Sequence, residues 1–243
     1  MAEIKPFPWQ SMLYVPAHDE QRVRAALISE AHAVVLDLED FVPDACKPAA
    51  RDALTNSATM LREHGMGVVV RINRPLDQAV ADLHCAVLDA VDAIMVTKVM
   101  GADHLTLLDE LVGELEDARG LPHGRIKLIA LIETAAATQR MAEICQAGGR
   151  LYAVGLGGED IARECGFRAS AETLLPLKQQ LIYAAVAAGV TPLGFLASVA
   201  DKSSPDAFAA MVARSREFGF RVATCLTAAQ VATVNAVYGP AER

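Results

Sequence analysis

Charged side chains stand at the ends of apolar runs in this chain, where a buried strand has no structural use for them. Asp37-Leu38-Glu39-Asp40 closes the run at 33–38, Arg71-Ile72-Asn73 the run at 67–73, and Thr97-Lys98 the run at 93–99. Glu133-Thr134 closes the run at 127–133, and Gly157-Gly158-Glu159-Asp160 follows the run at 151–157. A carboxylate buried without a partner is costly, so it is normally paired or metal-bound. Carboxylates gathered at one mouth repel each other unless a cation sits among them. Oxygen donors suit a hard ion, Mg2+ or Mn2+, and no histidine stands at these run ends to make a softer zinc site. Any one of these charges has an alternative, simple pairing with a neighbour at a rim. For Glu133, Asp160 and Arg71 taken together, a metal and substrate site is the stronger reading.

The elements that must position these residues alternate regularly. Eight apolar runs, at 12–16, 33–38, 67–73, 93–99, 127–133, 151–157, 191–197 and 221–226, are rich in Val, Ile and Leu, as expected for parallel strands buried on both faces. Helical segments lie between and after them at 20–31, 47–64, 77–90, 102–118, 134–147, 171–188, 204–217 and 227–237. Glycines at 65, 67, 120, 148, 149, 189 and 219 punctuate the joints. Eight βα units predict an α/β fold, a (β/α)8 TIM barrel forming one catalytic domain over residues 1–243. An open doubly wound sheet would normally carry a glycine fingerprint after its first strand, and none is present. The glycines at 155, 157 and 158 lack the GK[ST] continuation of a phosphate loop; they are read as letting the backbone bend so that Asp160 reaches the site.

Composition narrows the function classes. The formal net charge is −8 without a basic cluster, so no nucleic-acid partner is expected. No run approaches the roughly 18 apolar residues of a membrane span, and the first residues lack the features of a signal peptide. A cytoplasmic protein is expected. The five cysteines are scattered, with no CxxC spacing, and read as free thiols.

The stretches SMLYVPAHDEQRVRAAL, VVLDLEDFVPDACKPAAR, VVRIN, IALIET and GLGGEDIA, in that order over residues 11–162, are similar to the citrate lyase β-subunit-like group of the HpcH/HpaI aldolase superfamily. The resemblance implies a (β/α)8 barrel that assembles as trimers or multiples of trimers. It implies Mg2+-dependent cleavage or formation of 2-hydroxy acyl thioesters such as citramalyl-CoA or malyl-CoA, giving a 2-oxo acid and acetyl-CoA. It makes Glu133 and Asp160 the metal ligands and Arg71 the residue that binds the 2-oxo acid carboxylate, with Glu133 also touching substrate. Asp37 and Glu39 or Asp40 would hold water around the metal. The chain departs from the family pattern at Gln10-Ser11, at Ala17 after Val15-Pro16, and at Thr97 before Lys98. It ends at Arg243, so the expected barrel lacks the C-terminal lid of longer relatives.

The substrate would chelate the metal through its hydroxyl and carboxylate. Arg71 suits the carboxylate because a guanidinium meets it through two parallel hydrogen bonds, a fork that lysine cannot copy. Asp37, Glu39 and Asp40 are the catalytic candidates beside Arg71 and Glu133. Ser11 and Lys98 are further substrate-binding candidates, and His18 is a weaker acid–base candidate. Arg22 and Arg24 are placed to meet phosphates of coenzyme A. Lys47 and Arg51 share a helix face, with Asp44 and Glu39 as expected partners. Two other readings stay open: an aldolase acting on a free 2-oxo acid and an aldehyde, and a non-catalytic metabolite-binding partner subunit.

Overall fold

The computed structural model describes residues 7–200 and 204–239. The chain runs β1 (Ser11–Pro16), α1 (Glu20–Ala26), β2 (Ala33–Asp37), then a 3-10 turn at Asp44–Cys46 that leads into α2 (Lys47–Glu63). It continues through β3 (Gly67–Ile72), α3 (Leu76–Ala86), β4 (Ala93–Val96), α4 (Ala102–Ala118) and β5 (Lys127–Ile132). Two short helices follow, α5 (Ala135–Thr138) and α6 (Met141–Cys145), then β6 (Leu151–Leu156), α7 (Gly158–Cys165) and α8 (Ala171–Ala187). The last elements are β7 (Thr191–Leu193), α9 (Pro205–Phe218), β8 (Ala223–Cys225) and α10 (Ala228–Tyr238).

All eight strands lie in one parallel sheet ordered β7-β6-β5-β4-β3-β2-β1-β8. A single parallel bridge, Leu193 to Val222, and a 2.9 Å hydrogen bond from the Gly194 amide to the Val222 carbonyl close the ring between β7 and β8. This is the (β/α)8 barrel expected. The closure is thin because β7 has only three residues: Pro192 has no N–H for the ladder, and Gly194 turns left-handed at φ +134.

Side chains alternate between the two faces of each strand. Ala33 and Val35 of β2, Val69 of β3, Met95 of β4, and Ile129 and Leu131 of β5 fill the barrel interior. Val34, Leu36, Val68, Val70, Ile94 and Leu128 pack outward against the helices. Asp37, Arg71 and Glu133 share the parity of the interior rows, so the alternation carries them to the inner rim. Phe7 and Trp9 close the opposite end; Trp9 lies against Gly67, where any side chain would overlap the indole ring.

Three local expectations change. The segment 134–147 is two helices, not one, because the chain breaks at Gln139-Arg140. The glycine stretch after β6 does not remain a bent strand end: it opens α7, and Asp160 lies in the first turn of that helix. Arg51 pairs with Asp82 at 2.7 Å, not with Glu39 or Asp44. Lys47 comes within 3.9 Å of Asp44 but donates to the Leu38 and Glu39 carbonyls and to Asn73 Oδ1. The five cysteines are free. Among the described residues no helix is long and apolar enough to cross a membrane.

The amino-terminal end of the barrel has its own buried charge cluster. Glu116 accepts hydrogen bonds from the Gly124 and Ile126 amides at 2.7 and 2.6 Å. It also holds Arg150 at 2.8 Å as an ion pair, not an aligned hydrogen bond, and Arg150 pairs with Asp109 as well. Replacing Glu116 with Ala would remove one of the two carboxylates paired with the buried Arg150 and leave the Gly124 and Ile126 amides without their acceptor. A stability loss of about 2–5 kcal/mol is expected, mostly from the unpaired amides, read as a lowered midpoint in urea unfolding; a change below about 1 kcal/mol would show the cluster to be dispensable.

Candidate active site

A cavity of about 230 Å3 opens at the carboxyl ends of the strands, the end where barrels of this kind place their sites. Tyr14, Asp40, Phe41, Arg71, Glu133 and Asp160 line it, together with Gly155, Gly157 and Leu193 on the β6–β7 side. Asp37, Glu39 and Lys98 lie behind this lining.

Most of the expected carboxylate ring is neutralised by the protein's own cations. Asp37 and Arg71 are register partners across β2 and β3. Asp37 takes both Arg71 Nε and Nη2, at 2.5 and 2.8 Å, and also accepts from the Glu39 and Phe41 amides. It is fully buried, and each of its oxygens already accepts two hydrogen bonds. Asp37 therefore has no capacity left to act as a base or to hold water near a metal; its geometry is that of a brace for Arg71. The Arg71 guanidinium carbon sits 4.7 Å from the Tyr14 ring centre and 4.9 Å from that of Phe41, a cation–π sandwich that fixes the plane of the fork. The edge formed by Nη1 and Nη2 remains for a ligand, with Glu39 Oε2 3.2 Å from Nη1.

Lys98 balances the other side. Its Nζ bonds Glu39 and stands 3.6 Å from Asp40. Burial raises the Glu39 carboxyl, against the pull of Arg71 and Lys98. Burial also works to lower the Lys98 ammonium, but its bond to Glu39 and the nearby carboxylates carry it above the ordinary lysine range. Lys98 is thus a neutraliser of Glu39 and Asp40, not the substrate contact expected. Its backbone is left-handed, at φ +47, a conformation uncommon for a non-glycine residue. Its amide donates to Glu133 Oε2 at 2.7 Å. Local strain held in this way is common where a site needs a fixed group.

Glu133 is the cavity carboxylate that forms no salt bridge among the described residues, although the Lys98 ammonium is near enough to favour its charged form. It is 5% exposed, and among the described residues its one hydrogen-bond donor is the Lys98 amide. Burial pushes its carboxyl up to about 7, with Glu39 and Asp160 adding to the rise. Its side chain lies against Gly157, where a Cβ would overlap the carboxylate; the missing side chain lets β6 pass this close. One residue further on, α7 begins and carries Asp160 to the same cavity. Asp160 pairs at 2.6 Å with Arg163, whose side chain is 75% exposed, so this partner is loosely held. Among the described residues no cluster of three or more ligating side chains forms. Two hard carboxylates on one wall, one of them buried and without a salt bridge among the described residues, nevertheless fit a hard divalent ion that takes its other oxygens from substrate and solvent.

Other expected residues lie elsewhere. Ser11 begins β1 and so sits at the closed end, donating to Asn235 Oδ1 at 2.7 Å; it is no substrate contact. Arg22 and Arg24 lie on α1, engaged by Asp19 and Glu20, and do not border the cavity. His18 also stands outside its lining. The residue that went unnoticed in the sequence is Lys178 of α8, 3% exposed and bordering the cavity, its amine lowered by burial to about 7. Its sequence neighbours read as an ordinary helix, and no local signal marks it. The start of α7 did carry a signal: the acids Glu159 and Asp160 in its first turn and the left-handed Gly166 at its end.

A (β/α)8 barrel whose open end presents a braced arginine beside two carboxylates offers a cation and two oxygen donors at the strand ends, the place where barrel enzymes hold their substrates. Residues 10–228 match the HpcH/HpaI aldolase/citrate lyase family, and the chain belongs to it. It is 27% identical over 238 residues to the citrate lyase subunit beta of Haemophilus influenzae, covering 96% of this chain and 81% of that protein. It is 30% identical over 239 residues to the L-malyl-CoA/beta-methylmalyl-CoA lyase of Rhodobacter capsulatus, covering 88% and 74%. The citrate lyase beta subunit of M. tuberculosis, solved with oxaloacetate and magnesium, superposes with a TM-score of 0.78 at 28% identity, covering 99% of this chain and 100% of that one.

The raised Glu133 carboxyl makes stability depend on pH with a defined sign. The folded state holds this proton more tightly than the unfolded chain, so stability falls as pH climbs from 4.5 and levels off above about 7. The loss amounts to on the order of 3 kcal/mol at 1.36 kcal/mol per pK unit. Thermal melts of metal-free protein should show this decline, and Glu133→Gln should remove it. Added Mg2+ should restore the wild type at pH 8 and leave the variant unmoved. Identical pH profiles for the two proteins would refute the assignment.

Proposed function

We propose that this chain is a Mg2+-dependent carbon–carbon lyase that cleaves or forms a 3-hydroxy acyl thioester bearing a carboxylate on its carbinol carbon, such as citramalyl-CoA or malyl-CoA. The products of cleavage are a 2-oxo acid, pyruvate or glyoxylate, and acetyl-CoA. The observation that carries this reading is the buried Glu133, without a salt bridge among the described residues, facing one cavity with Asp160 and the outer edge of Arg71. The relatives named for citrate lyase and malyl-CoA lyase, and the relative solved with magnesium and oxaloacetate, support it.

Glu133 and Asp160 would hold the ion. When bound, a divalent ion supplies Lewis acidity that lowers the substrate hydroxyl's pKa and steadies negative charge on its oxygen. The rest falls to the chain's own residues. The outer Nη1 and Nη2 edge of Arg71, flanked by Glu39 at 3.2 Å from Nη1, takes the substrate carboxylate, while Asp37 behind it and the rings of Tyr14 and Phe41 on its faces keep the fork from turning. Holding that carboxylate still places the carbinol carbon against the Glu133 wall, and such fixed orientation lowers the entropic part of the barrier. Leu131, Leu193 and Phe195 line the cavity and keep water from the breaking bond. Once the hydroxyl proton leaves, its electron pair forms the ketone, the C–C bond breaks, and the pair passes to the thioester α-carbon as an enolate. Asp40, half-exposed at the rim, is the expected carboxylate still open to the cavity and is the candidate to take the hydroxyl proton.

The test incubates the protein with Mg2+, acetyl-CoA and pyruvate or glyoxylate and follows free CoA and the condensed thioester, with the preformed thioesters run in reverse. Glu133→Ala should abolish the metal-dependent turnover. Arg71→Lys loses one arm of the fork and should reduce kcat/KM by roughly tenfold to hundredfold, the worth of a charged hydrogen bond. Turnover of an aldehyde panel with free pyruvate, but of no thioester, would replace the reading with an aldolase. Inertness towards both would leave a binding subunit.

A further inference from the structure

Two lysines are buried among the strand ends, and their surroundings differ. Lys47 Nζ has three acceptors within hydrogen-bond distance, the Leu38 and Glu39 carbonyls and Asn73 Oδ1 at 2.7 Å, which is the setting of a structural ammonium. Lys178 reaches in from the middle of α8, and among the described residues its Nζ has one acceptor, the Leu156 carbonyl at 3.1 Å, and no ion pair. The Phe220 ring lies 5.9 Å away. A Cβ at Gly194 would stand 3.4 Å from the amine, so the bare backbone there leaves it room. The cavity bordered by Glu133, Asp160 and Arg71 is bordered by Lys178 as well, on the side of Leu193, Gly194 and Phe195.

An ammonium in such a place would keep N–H groups without acceptors in an apolar wall, which is costly. A neutral amine needs only its bond to Leu156 and retains a lone pair for a proton. Burial lowers Lys178 to about 7, so both forms are populated near neutrality. That is the condition for efficient proton transfer. The lyase reaction requires two proton movements, and the polar wall with Arg71 and Asp40 serves the hydroxyl end. The enolate carbon belongs at the less polar side.

We propose that Lys178 is a catalytic residue of this lyase, the amine that exchanges a proton with the α-carbon of the thioester; this rests on the lyase reading above. In condensation the neutral amine takes a proton from the acetyl methyl group, and the C–H electron pair becomes the enolate. The enolate carbon then bonds to the carbonyl carbon of the 2-oxo acid, whose π pair moves to oxygen and takes the proton from Asp40. Lys178 leaves the cycle as an ammonium and returns its proton to solvent. Cleavage reverses each step, the ammonium protonating the enolate carbon.

The experiment follows the full chain with Mg2+, acetyl-CoA and pyruvate or glyoxylate in D2O, reading both condensed thioester and deuterium entering the acetyl methyl group. Lys178→Met and Lys178→Ala should lower both rates by roughly 100-fold or more, within the usual range for a lost general acid–base group. KM for the 2-oxo acid should change little, because Arg71 and Glu133 remain. Ethylamine should restore part of the activity of the alanine variant and none of the methionine variant. Lys178→Arg keeps a charge that cannot be lost and should stay as slow as the methionine variant. Thermal melts of Lys178→Met at or above the wild-type midpoint would show that the loss is not one of folding. Wild-type exchange rates in Lys178→Met, or full activity in Lys178→Arg, would overturn the proposal while leaving the lyase intact. A wild type inert to every thioester in both directions would instead remove the lyase reading itself.

Discussion

The site depends on how charge is balanced within a wall that is otherwise apolar. Asp37, Glu39 and Asp40 bring three carboxylates to one arc of the rim, and Arg71 and Lys98 answer them from the next two strands. Strand register makes this possible, since Asp37 and Arg71 stand opposite each other across β2 and β3. Once those groups are matched, Glu133 faces the cavity buried and, among the described residues, without a salt bridge. A divalent ion is the natural completion of that imbalance. An arc whose charges were left open would instead scatter cations among many weak positions.

The same economy of partners separates residues that build the site from residues that react. Asp37 spends every acceptor it has, and Lys47 has a carbonyl or amide oxygen for each of its N–H groups. Such groups hold shape. Glu133, Lys178 and the outer edge of Arg71 keep capacity in reserve and share one cavity. Gly157 and Gly194 serve that reserve by omission, one making room for a carboxylate and the other for an amine.

Much of this was readable from residue order. Eight apolar runs separated by helical segments specify the barrel, and charges at run ends mark the rim, because an apolar strand buried on both faces tolerates a charge only where it stops. LDLED, RIN and IET carry Asp37, Arg71 and Glu133, the three charges that strand alternation brings to the inner rim. Asp160, expected at a strand end, borders the same cavity from the first turn of a helix. Ser11 was misplaced although its position ahead of the run at 12–16 already puts it at the amino-terminal end of β1, opposite the carboxyl ends that carry the site.

Roles, unlike positions, came from packing. A carboxylate reads alike in sequence whether its oxygens are filled or free; Asp37 and Glu133 differ only through the strand laid alongside each. Lys178 sits in a helix with glutamines on both following positions and resembles any solvent-facing lysine until α8 docks across β6 and β7. Local order encodes periodicity and therefore which elements form, since those are set by neighbours a few residues away. The burial, partner count and proton affinity of a side chain are set by atoms dozens of residues distant, and those meet only when the barrel closes.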